Sequence, residues 1–254
     1  RFLITSTTPR TSSTSNTSMQ HFFQKYDISL STEQLQGFET FLELFQKTNN
    51  QINLSAIRDE EGIITKHFID SLMLTRFLDE ITKNFQPPTS NLQLLDLGTG
   101  GGFPGIPLAI YYPNHHFTLL DARKKKCECI KNFVEKLGLE NVSVVWGRAE
   151  EPEKWELLKN SKFRVQNSEW MDSPILNFVP TSRDWILNYD VVVSRATALL
   201  STLIAWSQPL LKPWGKLIAY KTPSKEEISE AKKPLNTYIY HLENQERTLL
   251  EVSL

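Results

Sequence analysis

One stretch, Leu92–Pro107, limits the fold of this chain more than any other. An apolar run of Leu92, Leu94, Leu95 and Leu97 encloses Asp96 and ends in four glycines within five positions, Gly98, Gly100, Gly101 and Gly102. A short apolar run stopped by glycines reads as a buried strand closed by a tight turn. Glycine there admits positive φ and leaves room for a ligand against the main chain. From Gly105 to Tyr112 the chain is mostly apolar, with prolines near the start, where the first turn of a helix tolerates them. Strand, glycine turn and helix in this order open a nucleotide-binding α/β sheet.

The register of the glycines bears on which nucleotide. A Gly-x-Gly-x-x-Gly match exists at Gly100, Gly102 and Gly105, but it starts late and puts Pro104 inside the turn. Immediately after the strand the pattern is Asp96-x-Gly98-x-Gly100-x-Gly102. That form resembles motif I of the class I S-adenosylmethionine (SAM) methyltransferases. A P-loop needs Gly-Lys followed by Ser or Thr, and the chain has no such tripeptide. The residues alone leave SAM and NAD both open, and the register favours SAM.

A chain of 254 residues accommodates one or two domains and buries a core without covalent staples. Its two cysteines, Cys127 and Cys129, cannot make a disulfide framework and point to a reducing compartment. Their spacing on a helix sends the thiols to different faces, and a metal site needs more ligands nearby, so no metal is expected. A net charge of −1 argues against broad, nonspecific nucleic-acid binding but leaves a local basic patch open. No apolar run approaches the ~18 to 20 residues of a membrane span, so no membrane partner is expected.

Residues 1–18 are dominated by Ser and Thr, carry two arginines and lack acids, so they are expected to be a disordered leader. Such a leader resembles an organellar transit peptide. The plainer reading starts translation at Met19, where organised sequence begins. Residues 19–86 read as a helical segment. Ser31 with Gln34 makes a capping box for a helix over Ser31–Thr48, whose Leu35, Phe38, Phe41, Leu42 and Phe45 form one apolar face. A second helix is expected over Gly62–Asp79, with Ile63, Phe68, Leu72 and Leu78 inward. It carries Lys66, His67, Asp70 and Ser71, which read as a substrate contact or as a structural cluster in which Asp70 pairs with His67 or Lys66. Gln86–Ser90 is a linker signal.

From residue 91 to 254 strands alternate with helices, which argues for a parallel sheet. The expected strands are Leu92–Leu97, His116–Leu120, Val142–Trp146, Asp190–Ser194 and Lys216–Tyr220, the last entered through a turn at Pro213-Trp214-Gly215. Helices are expected over Lys124–Leu137, with Gly138 as its stop, and over Leu199–Leu211. Tyr238–Leu242 and Thr248–Val252 suggest a closing antiparallel hairpin. Asp121 stands ~20 residues past the glycine turn, where such folds place a carboxylate on ribose hydroxyls. The basic run Arg123–Lys126 lies at the carboxyl edge of the sheet. Residues 151–189, with Trp155, Trp170 and Trp185, show no steady period.

Several stretches together resemble the RsmG (GidB) family, bacterial 16S rRNA guanine-N7 methyltransferases. They are Asn53-Leu-Ser with Arg58-Asp, Lys66-His-Phe-Ile-Asp-Ser71, the glycine stretch with its Phe-Pro-Gly-Ile-Pro extension, Leu119-Leu-Asp-Ala, Gly147-Arg-Ala-Glu and Val193-Ser-Arg-Ala. The resemblance implies an α/β, Rossmann-like class I methyltransferase fold, a mostly parallel seven-stranded sheet behind an N-terminal helical segment. It also implies cytoplasmic methylation of a guanine in the 530 loop of 16S rRNA, in the context of the small ribosomal subunit. The implied SAM contacts fall on Gly98, Gly100, Phe103, Ala149, Glu150 and Arg195, and the general class I pattern adds Asp121. Arg123, Lys124, Lys66 and His67 are the candidate substrate contacts, and Arg195 alternatively pairs with Glu150 or Asp190. Residues 151–189 depart from the family, whose link there is much shorter, and Gly101 stands where many members have another residue.

Guanine N7 carries an in-plane lone pair and no proton, so no catalytic base is expected. The sequence lacks the Asn-Pro-Pro-Tyr type motif of amine methylation after the fourth expected strand, and neither cysteine lies there as a C5 nucleophile. Rival readings are a class I methyltransferase acting on another RNA, a protein or a small molecule, an NAD-dependent oxidoreductase, and a non-catalytic RNA-binding module.

Overall fold

A computed structural model describes residues 13–83, 85, 91–158, 189–195, 198–222 and 224–254. The expected linker at Gln86–Ser90 and all of the 151–189 stretch beyond residue 158 but Tyr189 lie outside the described residues. The strands are β1 (Gln93–Leu97), β2 (His116–Asp121), β3 (Val142–Trp146), β4 (Glu156–Leu157), β5 (Tyr189–Arg195), β6 (Leu211–Tyr220), β7 (Leu235–Leu242) and β8 (Gln245–Ser253). They form one sheet in the order β4-β3-β2-β1-β5-β6-β8-β7. The five central strands pair in parallel, while β4, β8 and β7 run antiparallel at the edges.

The helices are α1 (Ser13–Gln24), α2 (Thr32–Asn49), α3 (Glu60–Ile63), α4 (Asp70–Leu72), α5 (Leu78–Thr82), α6 (Gly105–Tyr111), α7 (Lys124–Leu137), α8 (Leu200–Ser207) and α9 (Lys225–Ala231). Strand alternation sends Val191 and Val193 into one core and Val192 into the other. The first core joins α1, α2 and the α3–α5 run to the sheet through α6 and α7, and the second packs α8 against the opposite face. Phe41 of α2 centres the first core. Its ring centroid lies 5.2 Å from Phe68, 5.4 Å from Phe103 and 5.6 Å from Phe133, so one buried aromatic links the helical segment, the glycine stretch and α7. Burial of each such side chain contributes about 1.5–3 kcal/mol.

Six expectations change, one of them the helix expected over Leu199–Leu211, which ends at Ser207 and passes through a 3-10 turn at Gln208–Leu210 into β6 at Leu211. The sheet has one strand more than seven, because Glu156–Leu157 adds a short antiparallel edge to β3, and two residues leave no periodic signal. Pro213–Gly215 do not precede a strand but stand inside β6, where Tyr189 pairs with Leu211 and Val191 with Lys216, an irregularity of the kind that accommodates proline in a sheet. The helix of the N-terminal segment begins at Ser13, ahead of Met19, so Ser13–Ser18 is helical where disorder was expected. Met19 and Phe23 are buried and hold α1 on the core, which lets the helix extend backwards from them. The helix expected over Gly62–Asp79 runs instead from Glu60 to Thr82 and changes type: α3, a π-helical turn at Ile64–Ile69, α4, a 3-10 turn at Met73–Arg76, then α5. Ile63, Ile64, Phe68, Ile69, Leu72 and Met73 are all buried, and they wrap further round the axis than one 3.6-residue stripe allows. Finally, α9 is additional, and its signal was present: Ser224 and Glu227 form a reciprocal capping box. The Ser31–Gln34 box and the left-handed Gly138 stop stand as read.

Candidate functional site

A cleft of about 840 Å³ opens at the carboxyl edge of β1 and β5. One wall is the glycine loop, Gly98–Gly101 with Phe103. The other carries Lys66, His67 and Asp70 from the helical run and Tyr240, Arg247 and Thr248 from the β7–β8 hairpin.

Backbone builds the first wall. Gly98 and Gly100 hold left-handed φ of 80° and 62°. The Gly98 and Thr99 N–H groups both donate to Leu120 O at 2.9 Å, which ties the loop to the end of β2. Asp121, buried, accepts the Gly100 N–H at 3.0 Å through Oδ2, and the Arg123 N–H at 2.8 Å through Oδ1. Asp96 accepts the Gly105 N–H at 2.8 Å. A Cβ at Gly105 would stand 2.1 Å from Leu119 Cδ2, so only glycine allows α6 to start here. At Gly100, by contrast, a Cβ would meet nothing closer than Gly98 O at 3.8 Å, so this backbone is open to the cleft. Burial pushes the Asp96 carboxyl up to about 7. The buried Thr99 side chain and the Gly105 N–H bear on the same carboxyl and pull it the other way. An open glycine backbone over a buried carboxylate leaves room for a nucleotide-like ligand against the main chain.

Side chains build the second wall. Asp70, 2% exposed, accepts from Arg195 Nη1 at 3.1 Å through Oδ2 and from the Tyr240 hydroxyl at 2.8 Å through Oδ1. Arg195 Nη1 also donates to Lys66 O at 3.3 Å, and Nη2 lies 3.3 Å from His67 Nδ1. A guanidinium only donates, so His67 Nδ1 accepts, and Nε2–H donates to Ser55 Oγ at 2.7 Å. Burial first, then the Arg195 charge, push His67 down to about 3, which keeps the ring neutral. His67 stacks on Phe103 with centroids 4.5 Å apart, and the Arg195 guanidinium carbon lies 5.3 Å from the same Phe103 ring. Tyr220 closes the floor by donating to Ser71 O at 2.6 Å.

The cleft thus gathers Gly98, Gly100, Phe103, Arg123, Arg195, Lys66 and His67 from the sequence reading. Asp121 braces the loop from beneath. Ala149 and Glu150 follow β3 outside the cleft lining, and Glu150 pairs with Arg148 at 3.3 Å. Lys124 turns away, its Nζ 4.5 Å from the Trp146 ring and 3.9 Å from Glu156. The partners offered for Arg195 are corrected: Glu150 is taken by Arg148, Asp190 by Lys212, and the carboxylate on Arg195 is Asp70. Asp70 in turn pairs with neither His67 nor Lys66, and Lys66 faces Glu243 at 3.8 Å. Tyr240 and Arg247 were missed, because alternation in the hairpin marks a strand without saying what it faces. Among the described residues no group of His, Cys, Asp and Glu forms a metal site, and no helix is long and apolar enough to cross a membrane.

A family model described as GidB, rRNA small subunit methyltransferase G, matches residues 34–245. The chain is 32% identical over 210 residues to the ribosomal RNA small subunit methyltransferase G of Acetivibrio thermocellus, which covers 83% of this chain and 72% of that one. Against the protein of the same name from Saccharophagus degradans it is 32% identical over 242 residues, covering 93% and 90%. Among solved structures, MtNAS in complex with MTA and tNA superposes with a TM-score of 0.52 at 12% identity, covering 93% of this chain and 75% of that one. At that identity the likeness is one of fold.

Proposed function

Because the chain belongs to the GidB family, rRNA small subunit methyltransferase G, we propose that it transfers a methyl group from SAM to N7 of a guanine in the 530 loop of 16S rRNA, within the small ribosomal subunit. The observation that carries this reading is the family match across residues 34–245, laid over a cleft in which a glycine cradle faces a neutral imidazole and a fixed guanidinium. The cytoplasm is the compartment this substrate implies.

SAM supplies an electrophilic methyl on a sulfonium. The loop backbone at Gly98 and Gly100, with Phe103 beside it, is the cradle for it. Asp121, at the end of β2 beneath that cradle, is the carboxylate assigned to its ribose, and Ala149 and Glu150, in the loop after β3 and outside the cleft lining, complete the assigned cofactor set. Guanine N7 attacks with its own lone pair, so the protein removes no proton, and the neutral His67 is no base at physiological pH. What remains is alignment of N7, the methyl carbon and sulfur, which is worth several decades of rate. Arg123 and Lys66 on the cleft, with Arg247 from the hairpin, supply cations for RNA phosphates.

Purified protein with SAM and small subunits lacking the modification tests this, read by nucleoside mass spectrometry. The expected product is 7-methylguanosine in the 530 loop, with SAM and not NAD bound in calorimetry. Gly98→Val should abolish that binding. Methylation of proteins or small molecules with the rRNA untouched overturns the reading.

A further inference from the structure

N7 methylation leaves a cation behind. The N7 lone pair forms the new N–C bond, the C–S electron pair stays on sulfur, and the guanine, with no proton at N7 to lose, carries the positive charge. A bare guanidinium close to that ring would oppose the charge as it develops. The Arg195 main chain ends β5 beside the cofactor loop, while its side chain reaches the other wall and is only 15% exposed. There Nη1 is held by Lys66 O and by Asp70 Oδ2, and Nη2 by His67 Nδ1. The second Asp70 oxygen is fixed by Tyr240 from the far end of the chain. Two distant segments, β5 through Arg195 and β7 through Tyr240, therefore converge on one buried carboxylate.

We propose that Asp70 is a positioning residue for methyl transfer, fixing the plane of the Arg195 guanidinium against the helical wall and offsetting its charge beside the guanine that becomes cationic. The proposal rests on the N7 reading above. Asp70 touches neither reactant and acts through Arg195, with Tyr240 holding the carboxylate in register. It makes the N-terminal helical run part of the reaction centre.

Asp70→Asn keeps the shape and one acceptor oxygen but deletes the charge. The expected result is a fall in kcat of about tenfold to a hundredfold, with KM for small subunits and the calorimetric SAM affinity unchanged. In an Arg195→Gln background, which removes both the fork and its charge, the same substitution should cost nothing further, because residues that act as a unit are non-additive. Tyr240→Phe should give a smaller loss of kcat that also vanishes in that background, and it carries the test alone if Asp70→Asn does not fold. Wild-type kcat in Asp70→Asn overturns the proposal, as do losses that add to those of Arg195→Gln. A SAM affinity that falls in step with kcat overturns it too, since Asp70 would then serve the cofactor or the fold. Wild-type protein that leaves the small subunit unmethylated removes the functional reading itself. Active wild type with an indifferent Asp70 removes this inference alone.

Discussion

Strand β5 carries a buried ion pair at each end, and the two pairs are chemically alike but differently placed. At its start Asp190, 1% exposed, receives Lys212 Nζ on both oxygens at 3.0 Å, Trp214 Nε1 at 3.3 Å and the Gln93 N–H at 2.9 Å. Those donors come from β6 and β1, so this carboxylate staples three neighbouring strands at the edge away from the cleft. At the other end Arg195 meets Asp70, and the pair lines the crevice where open α/β sheets bind ligands. Strand direction, and not the chemistry of the pair, separates a structural staple from a working group.

Breaking the staple should give the largest effect on folding. Asp190→Ala leaves Lys212 without its carboxylate in a partly buried place and strands the Gln93 N–H. The expected cost is about 3–5 kcal/mol of stability, read by denaturant unfolding, with kcat of the remaining folded protein unchanged. Loss of turnover at wild-type stability would erase the distinction between the two ends.

The cleft pair should behave in the opposite way. Arg195→Lys keeps the charge and loses the planar fork that holds Lys66 O, Asp70 and His67 together. Turnover on small subunits should fall about a hundredfold, equivalent to about 2.7 kcal/mol of barrier, while the melting temperature barely moves. SAM affinity should stay near normal. A large loss of SAM affinity would make the side chain a cofactor ligand, and wild-type turnover would make this pair a second staple.

Much of this was legible from the sequence where the signal is local. The Asp96–Gly102 register, the Ser31–Gln34 box and the Gly138 stop each state their conformation within a few residues, and the structure keeps them. The pairs that define the cleft are not local. Asp70 and Arg195 stand 125 residues apart, and Asp70 and Tyr240 stand 170 apart. Periodicity tells which face of an element is buried but not which remote element covers it, so the sequence pairs Arg195 with Glu150 or Asp190 and not with Asp70. The type changes along Glu60–Thr82 were hidden for a related reason. The sequence shows apolar positions in excess of one stripe, and only packing on both α2 and the sheet decides how the backbone accommodates them.

The smallest effect is a pH dependence that also distinguishes the two ends of β5. His67 is pushed down from 6.5 to about 3 by burial, and Arg195 pushes it further the same way. The native state therefore binds fewer protons than the unfolded chain between those values. This contribution to stability is complete above about pH 6.5 and is lost progressively as pH falls toward 3. Between pH 7 and pH 5 the loss is about 2 kcal/mol. His115, near the other pair, is also lowered by burial and by His116, but there Asp190 pulls in the opposite direction. His67→Gln, which keeps an acceptor for Arg195 and a donor for Ser55, should therefore flatten the acid limb of the stability curve more than His115→Gln does. Chemical denaturation at pH 7, 6 and 5 on the two variants and the wild type measures both slopes. Equal flattening would mean that burial alone sets both imidazoles and that the Arg195 charge adds nothing measurable at His67.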